Sequence, residues 1–335
     1  MTISIRMMPA VFFVACTNSS PTAKIDTDAE TASSLATVTD ASVGSPDPIS
    51  DGAKLDQVRG TPVSRCPSEM VYIAGYKENG EYILVPFCID RYEASIKHKE
   101  SKERFSPYYS PDPGHARKVR DTWESKRFET GDESARVIEL PKLPDWQLGE
   151  GVLQKAVAVP ESGVIPNGYL SGKVAKQVCL NAGKRLCTPR EWVRACRGSR
   201  DKKYPYGENG DDYAKDQCNV FRNTHPAQVL HNDVTSGHLD PRLNEVRDTV
   251  GEPLLRHTGE TKTCASKWGT DPERDWVYDM VGNLDEWVEN PTGQFLGGFF
   301  SRATKKGCDA SVTTHPTDYW DYSLGVRCCK NIEKN

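Results

Sequence analysis

Along CPSEMVYIAGYKENGEYILVPFCIDRYEAS, residues 66–95, apolar and polar positions alternate: Met70 and Tyr72 precede KENGE, and Tyr82 and Leu84 follow it. A period of two predicts strands, and Asn79-Gly80 between the two runs predicts a tight hairpin. Cys66 and Cys88 fall on the outer flanks of that hairpin, where a bridge between them is geometrically natural. The period changes in SGKVAKQVCLNAGKRLCTPREWVRACRG, residues 171–198. Val174, Val178 and Cys179 share one face of a helix that Gly183 would stop. A second helix starts with Thr188 as N-cap, Pro189 at the first helical position and Glu191 completing a capping box. Trp192 and Cys196 are four residues apart and share its buried face. Cys179 and Cys196 therefore face inward on neighbouring helices, as structural thiols.

Two tracts lack such periodicity. Residues 95–160 carry many charges and several prolines and predict an irregular excursion, not a domain. Residues 224–263 are polar and hold His225, His231, His238 and His257. The HLD at 238–240 resembles a two-ligand element of non-haem iron sites, but the spacings complete no ligand set.

At 335 residues, with 37% hydrophobic residues, 26 Gly and 22 Pro, the chain reads as soluble and loop-rich. No segment inside the chain approaches the roughly 18 apolar residues of a spanning helix. The net charge of -4 comes from interspersed signs, which excludes a basic face for nucleic acid. The first sixteen residues, MTISIRMMPAVFFVAC, place Arg6 before a short apolar run that ends at Cys16. This is an export signal in outline, and the small residues before Cys16 resemble a bacterial lipobox, with Phe13 where leucine is usual. Cys16 is thus a candidate lipidation site, and an ordinary signal is the other reading. Residues 17–62 are rich in Ser, Thr, Ala and Asp and contain no aromatic, as expected of a disordered tether. The expected organisation is a signal at 1–16, a tether at 17–62 and a folded domain at 63–335 with irregular insertions near 95–160 and 224–263. Thr17 after the acceptor cysteine points to the outer membrane or surface of a Gram-negative envelope, with the membrane contacted only through lipid.

Setting Cys16 aside leaves ten of the eleven cysteines, an even number in an exported chain, which argues for disulfides. No C-x2-C pair supports zinc.

Four motifs stand in one order: AGKRLCTPREWVRACRG, YPYG followed by Cys218-Asn219, VYDMVGNLDEW, and a Gly-Gly pair with a terminal LGVRCC. That order, over roughly 66–330, resembles the formylglycine-generating enzyme or sulfatase-modifying factor family. The resemblance implies an α+β, C-type-lectin-like variant with little regular secondary structure, held by disulfides and calcium. It implies that Cys179 pairs with Cys328 and Cys196 with Cys308. Of the four cysteines left after the Cys66–Cys88 hairpin bridge, Cys218 is set with Cys264 and Cys187 with Cys329, a pairing that elimination alone does not fix. It also implies a calcium site made of the Asp279 side chain, the Gly282 and Leu284 carbonyls and Glu286; by sequence alone the same turn reads as two solvated carboxylates.

The family's oxidation chemistry uses two copper-binding cysteines shortly after the Gly-Gly pair. Here the resemblance puts Arg302 and Gly307 at those places, with Cys308 as the structural cysteine and Phe299 in place of a serine. Ser301 and Thr304 are no substitute for thiolates on cuprous ion. Asp285 stands where the family has tryptophan. Copper is therefore not expected, and the chain reads as a tethered module for an unknown protein or peptide ligand. The alternative is an oxidoreductase of the same superfamily, formylglycine-type or non-haem iron type, with a divergent site drawing on Arg302, Asp309, Tyr319, Trp320 and Arg327 in one cleft.

Overall fold

The computed structural model describes residues 54–55, 66–206, 214, 216–302 and 304–332. The export signal, Cys16 and nearly all of the tether lie outside the described residues. The chain divides into two units, 1–46 and 47–335, and every described residue belongs to the second.

A short strand β1 (Lys54–Leu55) is followed by β2 (Met70–Ile73), β3 (Tyr76–Glu78), β4 (Glu81–Leu84) and β5 (Phe87–Asp90). These last four form nested hairpins. β3 and β4 turn at Asn79-Gly80, both with positive φ (50° and 87°), as a two-residue turn matched to strand twist requires. Outside them β2 pairs with β5, setting Tyr72 opposite Cys88, and Cys66–Cys88 closes the base. The core residues come from this outer pair: Val71, Ile73, Phe87 and Ile89 are fully buried. Tyr82, which the alternation sets with Leu84, is exposed, because the inner ribbon projects beyond the core, and the Lys77 ammonium lies over its ring at 4.5 Å.

The stretch at 95–160 is more regular than its sequence predicts. It contains β6 (Ser95–His98), α1 (Pro113–Lys126), α2 (Glu133–Arg136) and β7 (Ala156–Val159), with β6 and β7 antiparallel. Asp112 caps α1 by accepting from the His115 N–H, and Pro113 follows at the first helical position. Only Ala116, Val119 and Trp123 of α1 are buried, so the apolar stripe is three residues wide in a charged helix and escapes a periodicity search. Those three pack on Tyr109 as a small core of their own.

The two predicted helices form as α3 (Gly172–Asn181) and α4 (Pro189–Arg197), joined by β8 (Arg185–Leu186). Thr188 and Glu191 make the reciprocal capping box, and Trp192 and Cys196 are both fully buried. The histidine-rich tract contributes α5 (Pro226–His231) and, despite its polarity, the fully buried Leu230, Leu243, Leu254 and Leu255 of a third apolar cluster.

The remaining strands are β9 (Ala265–Lys267), β10 (Trp276–Tyr278), β11 (Asp285–Trp287), β12 (Phe295–Leu296), β13 (Ser311–Val312), β14 (Leu324–Gly325) and β15 (Cys328–Asn331). One four-stranded sheet has the order β2-β5-β15-β8, the other β13-β12-β11-β14, with β11 and β14 parallel. Five disulfides tie these parts: Cys66–Cys88, Cys179–Cys328, Cys187–Cys329, Cys196–Cys308 and Cys218–Cys264. Three of them span 149, 142 and 112 residues. In the chain-entropy model a loop of that size is worth roughly 4–5 kcal/mol.

Candidate functional site

Successive residues of a strand point to opposite faces, and β11 uses this to separate two adjacent carboxylates. Glu286 points inward. It accepts from Arg327 Nε at 2.9 and 2.7 Å and from the Trp192 indole N–H at 2.6 Å. Arg327 is wholly buried, and its guanidinium also donates to the carbonyls of Tyr278, Asp279 and Asp90. Burial opposes its charge, but the surrounding carboxylates outweigh that and raise its pKa.

Two more buried carboxylates stand around this pair. Glu93 accepts from the Leu284 N–H at 2.8 Å and from Asn283 Nδ2 at 2.7 Å. Asp279 has a left-handed backbone (φ 57°) and accepts from the Gly259 N–H at 2.6 Å. Burial pushes Asp279 up to about 7 against the Gly259 N–H and Arg327, with Glu286 adding to the rise. Burial also raises Glu93 well above the usual range, reinforced by Asp279 and Glu286. Three buried carboxylates thus share one guanidinium. Among the described residues no three His, Cys, Asp or Glu side chains converge as a metal-holding group. A cation here would have to draw on backbone carbonyls. Carboxylate and carbonyl oxygens are the hard donors that calcium takes.

Asp285 points the other way. Its Oδ1 accepts from the Gly298 N–H at 2.8 Å, and its two oxygens lie 2.8 and 2.7 Å from Arg302 Nη2. Asp285 is buried whereas the Arg302 side chain is 37% exposed. Burial raises Asp285 to about 6, with Arg302 opposing. The Gly-Gly pair makes this geometry: both residues have positive φ (101° and 77°). A Cβ on Gly297 would stand 3.0 Å from the Met280 carbonyl, and one on Gly298 2.1 Å from Thr304 Oγ1.

Around the Asp285–Arg302 pair lies an aromatic face. The Phe299 ring is 5.6 Å from Tyr322 and 5.4 Å from the Arg302 guanidinium. Tyr322 Oη is 3.4 Å from His225 Nε2, and burial, then His238, lowers the His225 pKa so that the imidazole is neutral at pH 7. Asp321 accepts from the Tyr319 hydroxyl at 2.6 Å and from Ser323. This region offers an ion pair open to water on the Arg302 side, buried Phe299 and Tyr322 rings beneath it and a neutral histidine, but no sulfur among the described residues. All ten cysteines among the described residues are in disulfides.

The model of the sulfatase-modifying factor enzyme 1-like domain matches residues 145–332, more than half of the chain. The chain belongs to that family. It is 27% identical over 263 residues to a formylglycine-generating enzyme of Thermomonospora curvata, covering 75% of this chain and 79% of the relative. Among solved structures it is similar to CarF, at 13% identity, 80% of this chain, 99% of that chain and a TM-score of 0.35. It is also similar to PvdO from Pseudomonas aeruginosa, at 13% identity, 81% of this chain, 98% of that chain and a TM-score of 0.34. The sulfatase-modifying-factor domain here has the expected α+β, formylglycine-generating-enzyme-like, disulfide-rich fold.

Within the sulfatase-modifying-factor domain the five residues proposed for one cleft separate. Arg302 and Tyr319 border the aromatic face through Asp285 and Asp321. Trp320 stacks on His115 at 3.9 Å, against α1. Asp309 is turned to Arg197 at 2.8 Å on α4, and Arg327 is wholly buried behind β11. Arg327 therefore serves the interior. The HLD segment also divides: Asp240 is buried against Arg242 (2.6 Å) and stands 3.2 Å from His231 Nε2, whereas His238 Nε2 faces the Val234 carbonyl. Sequence reasoning missed Glu93 and named His225 only as one of four histidines in a polar tract. Glu93 carried no signal, since it stands among Asp90, Arg91 and Ser95 where β5 gives way to β6; His225 carried none beyond its place in that tract.

Proposed function

We propose that this domain is a binding module of the cell envelope that keeps the family's disulfide frame without its copper oxidation site. One observation carries this: every described cysteine is in a disulfide, and Arg302, at the place the resemblance gives to the first copper cysteine, is paired with Asp285. A guanidinium beside a carboxylate is no ligand for cuprous ion, which favours thiolates. Arg302 and the half-buried Tyr319, over the buried Phe299 and Tyr322, offer an amphipathic edge for a protein or peptide partner.

Calcium belongs to the same proposal as a structural ion, held by Asp279, Glu286 and the Gly282 and Leu284 carbonyls. When bound it supplies positive charge to the carboxylates that Arg327 alone does not balance. Five disulfides accord with an oxidising compartment, and Cys16 as a lipid acceptor would tether the domain through residues 17–62. Incorporation of labelled palmitate that disappears in Cys16→Ser supports the anchor; label retained in that variant removes it.

The decisive test is cuprous-ion competition against a chromogenic chelator, together with oxygen uptake in the presence of a cysteine-containing peptide. Neither stoichiometric copper binding nor peptide-dependent oxygen uptake is expected from the folded protein. Either one restores the oxidoreductase assignment that the name of the Thermomonospora curvata relative suggests.

A further inference from the structure

A cavity of about 690 Å³ opens between the end of α4, the loop at 198–206, β9 and β10, on elements that carry neither Asp285 nor Arg302. Among the described residues every charged member of its lining is basic: Arg197, Arg200, Lys202, Lys262 and Lys267. Arg197 is engaged by Asp309 at 2.8 Å and by Asp201 at 3.7 Å. Lys262 and Lys267 differ. Both are exposed, and neither forms an ion pair among the described residues. Each is placed by an aromatic ring: Lys267 Nζ lies 4.5 Å from the centre of the Trp276 ring and Lys262 Nζ 5.6 Å from that of Tyr278. The first pair is set by register, since Lys267 of β9 stands directly opposite Trp276 of β10. The backbone behind them is fixed as well, with the Ser199 N–H donating to the Lys267 carbonyl at 3.0 Å.

The uncharged part of the lining includes Ser199, Gln217, Thr263 and Thr270, whose hydroxyls and amide suit a polyhydroxylated ligand. The volume is that of a small-ligand site, larger than a single inorganic anion needs. Two ammonium groups that form no ion pair among the described residues, beside an indole and several hydroxyls, select for negative charge on a saccharide scaffold. We propose that this cavity binds an anionic oligosaccharide, with its sulfate or carboxylate groups on Lys262 and Lys267 and its ring hydroxyls on the Gln217 and Thr263 side. The proposal is independent of whether the Asp285–Arg302 face is catalytic or binds a partner.

The test is calorimetric titration of the full-length protein with a sulfated uronic hexasaccharide, its unsulfated counterpart and sodium sulfate at matched ionic strength. At least one saccharide is expected to bind with a Kd on the order of 10 µM, weakening as salt rises. The two saccharides distinguish sulfate from carboxylate as the recognised group. Lys262→Ala/Lys267→Ala is expected to weaken binding about tenfold. Its thermal midpoint should match the parent because both side chains are exposed. Asp285→Asn should leave the affinity unchanged, which separates this site from the aromatic face. Absence of saturable saccharide binding, equal affinity in the double-lysine variant, or sodium sulfate binding as tightly as the hexasaccharides overturns the proposal.

Discussion

Asp285 and Glu286 are neighbours on β11, and each is paired with an arginine, yet their surroundings differ. Glu286 and Arg327 are both buried, with Trp192 and backbone carbonyls satisfying what the pair leaves open. Asp285 is buried, but Arg302 has over a third of its side chain in water. An ion pair shut away from solvent is costly to break because the remaining charge has no water to return to. A pair open on one side can be broken with solvent as the replacement partner. The inward pair therefore belongs to the frame, and the outward pair lies where the surface can change without loss of the fold.

The largest effect is expected from Glu286→Gln, which takes from the buried Arg327 its only hydrogen-bonded carboxylate among the described residues and should cost about 3–5 kcal/mol in chemical denaturation. A loss no greater than that of Asp285→Asn would erase the distinction between the two faces. A third pair sharpens it. Asp240 is buried, which by itself raises its pKa, but His231 and Arg242 outweigh burial and lower it. A lowered folded value means stability present above the unfolded pKa, near 4, and lost as pH falls through the folded one. Asp285 has the opposite sign: raised to about 6, its contribution is complete below about 4 and lost as pH rises through about 6. Asp240→Asn should destabilise by about 2–4 kcal/mol and flatten the acid limb of a stability–pH curve, while Asp285→Asn flattens the limb between about 4 and 6.

Calcium tests the inward face directly. At about 100 times the dissociation constant, the ion should raise the unfolding free energy by about 2–3 kcal/mol, lost on chelation. A thermal midpoint indifferent to chelator would leave Arg327 and protons as the only balance for Glu93 and Asp279. The smallest effect is the outward pair itself. A double-mutant cycle of Asp285→Asn with Arg302→Met should give a coupling of about 1 kcal/mol or less, reduced by salt.

Much of the frame was legible because its signals are local. Asn79-Gly80, the Thr188–Glu191 capping box and the Trp192/Cys196 spacing each specify backbone geometry within a few residues, and each is found as expected. The five cysteine pairs found here were reached in three ways: from hairpin geometry, from family resemblance and, for the last four cysteines, by a pairing that elimination alone does not fix. What escaped notice depends on distant contacts. The α1 stripe is too narrow to stand out among charges. Glu93 takes its role from Asn283 and Leu284, some 190 residues away. The supposed cleft grouped Arg327 and Asp309 with Arg302 by nearness in sequence, whereas β11 and α4 carry their partners to separate places. Arg302 itself could not be matched to Asp285 without the turn that Gly297 and Gly298 impose.

The position of β15 governs the order in which the domain can be completed. It is the last strand in chain order among the described residues, yet it lies between β5 and β8, and its adjacent cysteines bind α3 and the residue that follows β8. No nascent fragment lacking residues 328–331 can close the sheet or form those two bridges. The first half of the domain must wait, with its own strand edges open, until the carboxyl end arrives. Cys328 and Cys329 must then each find the correct one of two partners only eight residues apart in sequence. Closing this sheet thus involves a sorting step between adjacent thiols, one that a disulfide isomerase can accelerate and that loss of residues 328–331 would abolish.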